Sequence, residues 1–276
     1  MKIKHGFIGA WSIGLAAALL RAVQYITVID KEGYYTKGGL SSFLGGMLIG
    51  LLAIGVLFCF LAGRKKKVPL TYSELIGGSS VPMVLLGAVS LADGIYRLIF
   101  AKVLLPRVVA VLCLLGAIGW IVIGLMGKRA PSILGLLPII QMGAIIIDYF
   151  WNTYKYIQVS EYALTVLALS AACFFVLLIM KALAEADCSK GRLMIGGCLL
   201  TILGLPAFPV SLMGGLTASR IFLAAEGVLL LLIAADVLRR LAKPCAPAPK
   251  EGPDLSALNE YINNLPEVEE QENEQA

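Results

Sequence analysis

The chain is poor in charge. Asp, Glu, Lys and Arg make up only 15% of its 276 residues, against 59% hydrophobic residues and a mean hydropathy of +0.86. No water-soluble core could absorb that much apolar surface, so a soluble globular class is excluded. Histidine is scarcer still, with His5 near the N-terminus the single one. A Ser-His or Cys-His nucleophile pair inside an apolar segment is therefore ruled out on supply. The lack of any C-x-x-C pair likewise removes zinc ligation by the usual Cys and His sets, and we expect neither metal nor cofactor. Of the six cysteines, Cys59, Cys113, Cys173 and Cys198 lie in apolar stretches, and Cys188 and Cys245 in polar segments on one predicted side. That distribution gives no disulfide framework, and a buried Cys of this kind acts as a small apolar residue. A basic face interleaved with stacking aromatics is also missing, so the net charge of +5 does not point to nucleic acid.

What is present is a series of long apolar runs. Eight stretches of about 20 residues fill the chain, each enough to cross a hydrocarbon layer of ~30 Å at ~1.5 Å per helical residue. They are expected at residues 7–29, 40–62, 81–101, 108–126, 132–151, 162–180, 193–213 and 221–238, each bounded by charge, proline or glycine. Backbone polar groups in lipid need partners within their own segment, which selects helices. The expected fold is an all-α integral membrane protein: a bundle of about eight transmembrane helices in four hairpins over residues 1–242, followed by a cytoplasmic tail, 243–276.

Orientation follows from Lys and Arg outside the spans. One side holds Lys2, Lys4, Arg64, Lys65, Lys66, Lys67, Lys128, Arg129, Lys181, Lys190, Arg192, Arg239, Arg240, Lys243 and Lys250; the other holds Lys31, Lys37, Lys102, Arg107, Lys155 and Arg220. The richer side is expected in the cytosol with both termini, and the bilayer is expected to be a cell membrane, that of the bacterial cytoplasm. Tyr25, Tyr34, Tyr35, Tyr96, Phe100, Tyr149, Phe150, Trp151, Tyr154, Tyr156 and Tyr162 crowd the proposed outer interface, as an anchoring aromatic belt does. A competing reading of the N-terminus is a cleaved signal peptide, with basic Met1 to His5, apolar Gly6 to Leu15 and the small residues Ala16-Ala17-Ala18. The apolar run continues to Ile29, which favours an uncleaved span.

Polar residues inside the spans carry the functional signal: Arg21, Gln24, Asp93, Arg97, Gln141, Asp148 and Glu226, with Asp236 near the inner end of the last. A central Arg or Asp costs ~2.5–3.5 kcal/mol on insertion scales, so such groups face the bundle interior and find each other. The alternating topology puts Arg21, Gln24, Asp93, Arg97, Asp148 and Glu226 in the outer half. Asp93 and Arg97, four apart, share a helix face and are expected to pair. Arg21 then calls for Asp148 or Glu226, leaving one acid without a basic partner. The cluster reads either as a proton-coupling or substrate cavity open to the outside or as a set of interhelical pairs. In the seventh span Gly204, Pro206 and Pro209 would break the hydrogen-bond ladder at the same depth, either as a transporter-like broken helix or as a tolerated kink.

Other motifs are less specific. Gly77-Gly78-Ser79-Ser80 superficially matches a serine-nucleophile loop, but a Ser cap followed by Pro82 accounts for it. Asp93-Gly94 matches the start of a phosphatidyl-transferase aspartate motif, yet the further metal-holding aspartates are absent downstream. Gly46-x-x-x-Gly50 has the spacing of close helix packing. Arg64 to Lys67 reads as a stop-transfer anchor on anionic headgroups, and Thr71-x-x-Glu74 as a capping box. Tyr25-Ile-Thr-Val-Ile-Asp30 faintly echoes Tyr156-Ile-Gln-Val-Ser-Glu161, a hint of duplicated hairpins. The tail has prolines at 244, 247, 249 and 253 and an acidic end, the composition of a largely disordered linker. Within it Leu255, Leu258, Ile262 and Leu265 fall at helical spacing after Asp254, so residues 254–265 can form a short helix that docks a cytoplasmic protein partner or the bundle's inner face.

The first hairpin, Arg21-Ala-Val-Gln24-Tyr25 and Asp30-Lys-Glu-Gly33-Tyr34-Tyr35, resembles uncharacterised bacterial multi-pass membrane proteins with an Arg, Gln and Asp-x-x-x-Gly-aromatic pattern. The likeness covers about fifteen residues and departs in the turn, where Gly33 follows Glu32 and no Thr precedes it. It implies no activity and no functional residue. Three function classes remain. A permease-like or proton-coupled transporter of a small solute would use the outer charges and the broken seventh helix. A non-catalytic membrane subunit or scaffold would use the charges for assembly and the tail for recruitment. A lipid-processing enzyme holding phosphate through Arg21 and Arg97 lacks metal ligands and any base beyond carboxylates.

Overall fold

The computed structural model describes residues 3–29, 38–64, 80–153, 160–184, 188–214 and 216–242. Eight α-helices run through them: α1 Ile3–Thr27, α2 Gly39–Gly63, α3 Val81–Phe100, α4 Leu104–Met126, α5 Leu136–Thr153, α6 Ser160–Leu183, α7 Lys190–Ala207 and α8 Ala218–Ala242. All eight helical segments are long and apolar enough to cross a membrane, and no strand occurs among the described residues. Their bounds lie within a few residues of those expected, with two instructive departures. Where residues 102–107 were expected as a loop, α4 already starts at Leu104, because Pro106 in the first turn needs no N–H partner and Arg107 Nε donates back to the Ala101 carbonyl at 3.1 Å. Ser80 does stand at the N-cap of α3 with Pro82 behind it, but its side chain makes no capping bond; its backbone N–H donates to the Gly124 carbonyl instead, at 2.8 Å. Gly127, at φ 56, closes α4 in a region that side chains disfavour.

Helix α7 is the centre of the bundle, in contact with α1, α2, α6 and α8. Of its apolar window 72% is buried, against 22% for α2, which lies on the periphery against α1 and α7. Helices α3, α4, α5 and α6 follow one another in space as in sequence, and α8 returns to pack on α3, α7 and α1. The outward faces are apolar, with Ile26, Leu19 and Ile49 at least 70% exposed, while Arg21, Gln24, Asp93, Gln141 and Glu226 are buried. This is the reverse of a water-soluble helix, whose outer face is charged.

Several expectations concern residues outside those described: Lys31, Lys37, Tyr34 and Tyr35 before α2, Lys65 to Lys67, the Thr71 to Glu74 box, Gly77 to Ser79, Tyr154 to Tyr156, and the tail from 243 with Cys245 and the 254–265 segment.

Candidate functional site

One turn of α3 separates Asp93 from Arg97, and the pair forms as the i, i+4 spacing requires, with Arg97 Nε donating to Asp93 Oδ2 at 2.7 Å. The other arm of the guanidinium reaches Asp148 Oδ2 on α5. A single cation thus clamps α3 to α5. Asp93 keeps one oxygen, Oδ1, buried and without a hydrogen-bond partner.

A second chain of bonds begins one turn earlier on α3. Gln141 Nε2 of α5 donates to Ser90 Oγ at 2.8 Å, and the Ser90 hydroxyl donates to Glu226 Oε1 of α8 at 2.7 Å. With the hydroxyl's acceptor side occupied by the amide, its proton is directed to Glu226. Gln141 fits here because α4 presents Gly116, where a Cβ would collide with the amide. Cys113 of α4 lies within electrostatic reach of Asp93, Arg97, Asp148 and Glu226. Three helices therefore meet through buried polar groups, each of which would be costly alone in an apolar medium.

Beside this network is a cavity of about 390 Å³ whose walls include Arg97, Asp148, Tyr149, Tyr162, Ser211 and Arg220. The rings of Tyr149 and Tyr162 meet edge to face at 6.1 Å, and Tyr96 packs on Phe222 at 5.7 Å. These aromatics gather at the ends of α3, α5, α6 and α8 where the outer belt was expected. The cavity's wall includes the same Arg97 that holds Asp93.

Arg21 and Gln24 form a second group. Arg21 donates to Gln24 Oε1 at 2.9 Å and lies 5.1 Å from the centre of the Tyr25 ring, while Gln24 Nε2 donates to the Leu44 carbonyl of α2 at 2.8 Å. The acids expected to meet Arg21 are engaged elsewhere, Asp148 with Arg97 and Glu226 with Ser90. Arg21 instead borders a narrow crevice with Thr165, Pro206, Ala207 and Ser211. Helix α7 carries Gly204 and Pro206 within it and ends at Ala207, where Phe208 N–H bonds the Gly204 carbonyl; Pro209 then leads into a short 3-10 turn, Val210–Gly214. Ser211 in that turn lines both the crevice and the cavity, and its hydroxyl donates to the Phe208 carbonyl at 2.7 Å.

Ser90, the junction of the buried chain, escapes sequence reasoning because a serine in a span is commonplace. Gln141 is noticeable by its depth alone, yet only the fold shows its partner. Tyr149 and Tyr162 read from sequence as interface anchors and Arg220 as a charge of the outer side, and nothing local marks them as cavity walls. No group of three or more His, Cys, Asp or Glu able to hold a metal occurs among the described residues. The chain matches no family model, no curated protein and no solved structure.

Proposed function

We propose that this chain is a multi-pass protein of a cell membrane, the bacterial cytoplasmic membrane with both termini in the cytosol, and that it acts as a permease-like, proton-coupled transporter of a small solute. Apolar outward faces around a polar interior support the membrane setting, since lipid replaces water as the outer solvent. The single observation that carries the transport reading is the cavity of about 390 Å³ whose wall includes both partners of the Arg97 to Asp148 bridge. That volume suits a small solute, and a bridge between two helices is a contact that a solute's own charge can replace. The short turn after α7 at the same level adds irregular backbone beside the cavity, as transporters place it.

The test is flux into proteoliposomes holding the full chain and a pH-sensitive dye, challenged in turn with sugars, amino acids, organic acids and amines. One class should move protons, and Asp148→Asn should remove that movement while the protein still purifies as a monodisperse species. Wild-type flux by no class, or Asp148→Asn that transports normally, would overturn the reading.

A further inference from the structure

The buried chain from Gln141 through Ser90 to Glu226 is not needed to form the cavity, and its chemistry differs from the clamp beside it. Asp93 has a cation, Arg97; Glu226 has a hydroxyl, Ser90. The guanidinium that serves Asp93 is shared with Asp148, so its charge is divided between two acids before Glu226 is counted. From α3, Asp93 and Arg97 act on Glu226; from α4, the Cys113 thiol lies within reach of its charge; Arg220 lies six residues earlier on its own helix. The other helices packed on α8 bring Arg21 of α1, held by Gln24 beside the end of α7, and Cys198 of α7, whose thiol points to the Gly6 carbonyl at 3.9 Å. Neighbouring carboxyl groups in an apolar interior do not both ionise at one shared cation without large cost, and a hydroxyl is a partner either form of the acid accepts.

Resting on the transport reading, we infer that Glu226 is the proton-binding residue of this protein and that Arg97 couples it to the cavity. The proton is taken from water onto the Glu226 carboxyl and returned to water, so no other reactant is needed. While Glu226 is neutral, Arg97 divides its two arms between Asp93 and Asp148 and keeps α3 tied to α5. When Glu226 gives up its proton, negative charge on the α8 side of Asp93 draws the guanidinium inward and weakens its hold on Asp148. The clamp then loosens and the cavity opens. A proton is the ligand that fits, because it needs no coordination sphere of the kind that a sodium ion takes from several oxygens.

Two readouts that require no solute test this on the full chain in detergent. Difference infrared spectroscopy across a pH titration should show a protonated-carboxyl C=O band that vanishes as pH rises and is missing in Glu226→Gln. Should Glu226→Gln fail to fold, Ser90→Ala supplies the same information, since loss of the hydroxyl's bond to Oε1 should move that band to higher frequency. The second readout is maleimide labelling of Ser219→Cys in the cavity wall. Its rate, divided by that of the same cysteine in a Glu226→Gln background at equal pH, should rise severalfold as the band disappears. A band that persists in Glu226→Gln and disappears in Asp93→Asn, a band removed by sodium at constant pH, or a labelling ratio independent of pH would each overturn the inference. Both readouts positive with no flux in proteoliposomes would preserve the proton site and discard transport instead.

Discussion

Helices α3, α5 and α8 meet through charge, whereas α1, α2 and α7 meet through the near absence of side chains. In the first region Arg97 spans Asp93 and Asp148, and Ser90 joins Gln141 to Glu226. In the second, Gly14 faces the Thr201 carbonyl, Gly55 faces Ile202, and Gly63 faces Ile195 and the Gly191 carbonyl, all close enough that a Cβ would collide. Dispersion between closely approaching backbones has one good arrangement, and small shifts forfeit it. A shared guanidinium has two, toward either acid. On the proposed mechanism the first region is the one that moves and the second the one that holds, with the cavity beside the first.

The largest effect should come from breaking the clamp. Arg97→Met leaves two carboxyls facing an apolar side chain, and removing one partner of a buried ion pair costs about 3–5 kcal/mol. A strong fall in melting temperature in detergent is expected. Adding Asp93→Asn and Asp148→Asn to the same chain should recover most of it, since the unmatched charge is gone. If the triple variant is no better than Arg97→Met, this region is held by shape rather than by charge, and the contrast with the glycine side collapses.

A smaller but unrescuable loss is expected opposite. Gly63→Leu must displace α2 from α7, because the new Cβ would lie 2.7 Å from the Gly191 carbonyl, a backbone atom that cannot rotate away. Overpacking of this kind costs about 1–3 kcal/mol. Melting in detergent and protease sensitivity report it, and Gly46→Leu, whose position has open space around it, serves as the neutral partner. Equal damage from both would mean that α2 has no fixed seat on α7.

The helices themselves were legible because lipid-crossing length and apolar runs are local properties, and the Asp93 to Arg97 pair because helical geometry alone puts positions four apart together. The surroundings of Arg21 were not legible for the opposite reason: depth along a helix says nothing about azimuth, and Asp148 bridges to an arginine on α3. The same limit hid Ser90, whose role depends on Gln141 and Glu226 arriving from helices 51 and 136 residues away. The Gly46-x-x-x-Gly50 spacing pointed to packing, yet a Cβ at either glycine would meet no atom within 4 Å, whereas Gly55 and Gly63, with no motif to mark them, make the contacts to α7. Spacing identifies a smooth helix face; which smooth face is covered is decided by the neighbour.

The gentlest probe of the contrast uses thiols already in place. Cys59 of α2 lies near Cys198 of α7, and both are fully buried in the region held by glycine. Neighbouring sulfurs on helices that stay together should join when a membrane-permeant oxidant accepts their two electrons, the two protons going to solvent. The product is an internal disulfide, visible after denaturation as two fewer thiols of the six open to maleimide and as a tryptic fragment pair linked through residues 59 and 198. Placing cysteines at Ile145 and Leu223 of the cavity wall, in a chain with its native thiols removed and the clamp left intact, gives the matching probe beside the clamp. Cross-linking there should depend on pH through Glu226, and the Cys59 to Cys198 yield should not. PH-dependent yields at both places would mean that the bundle breathes as a whole, and that charge and close packing do not divide it into a moving and a holding half.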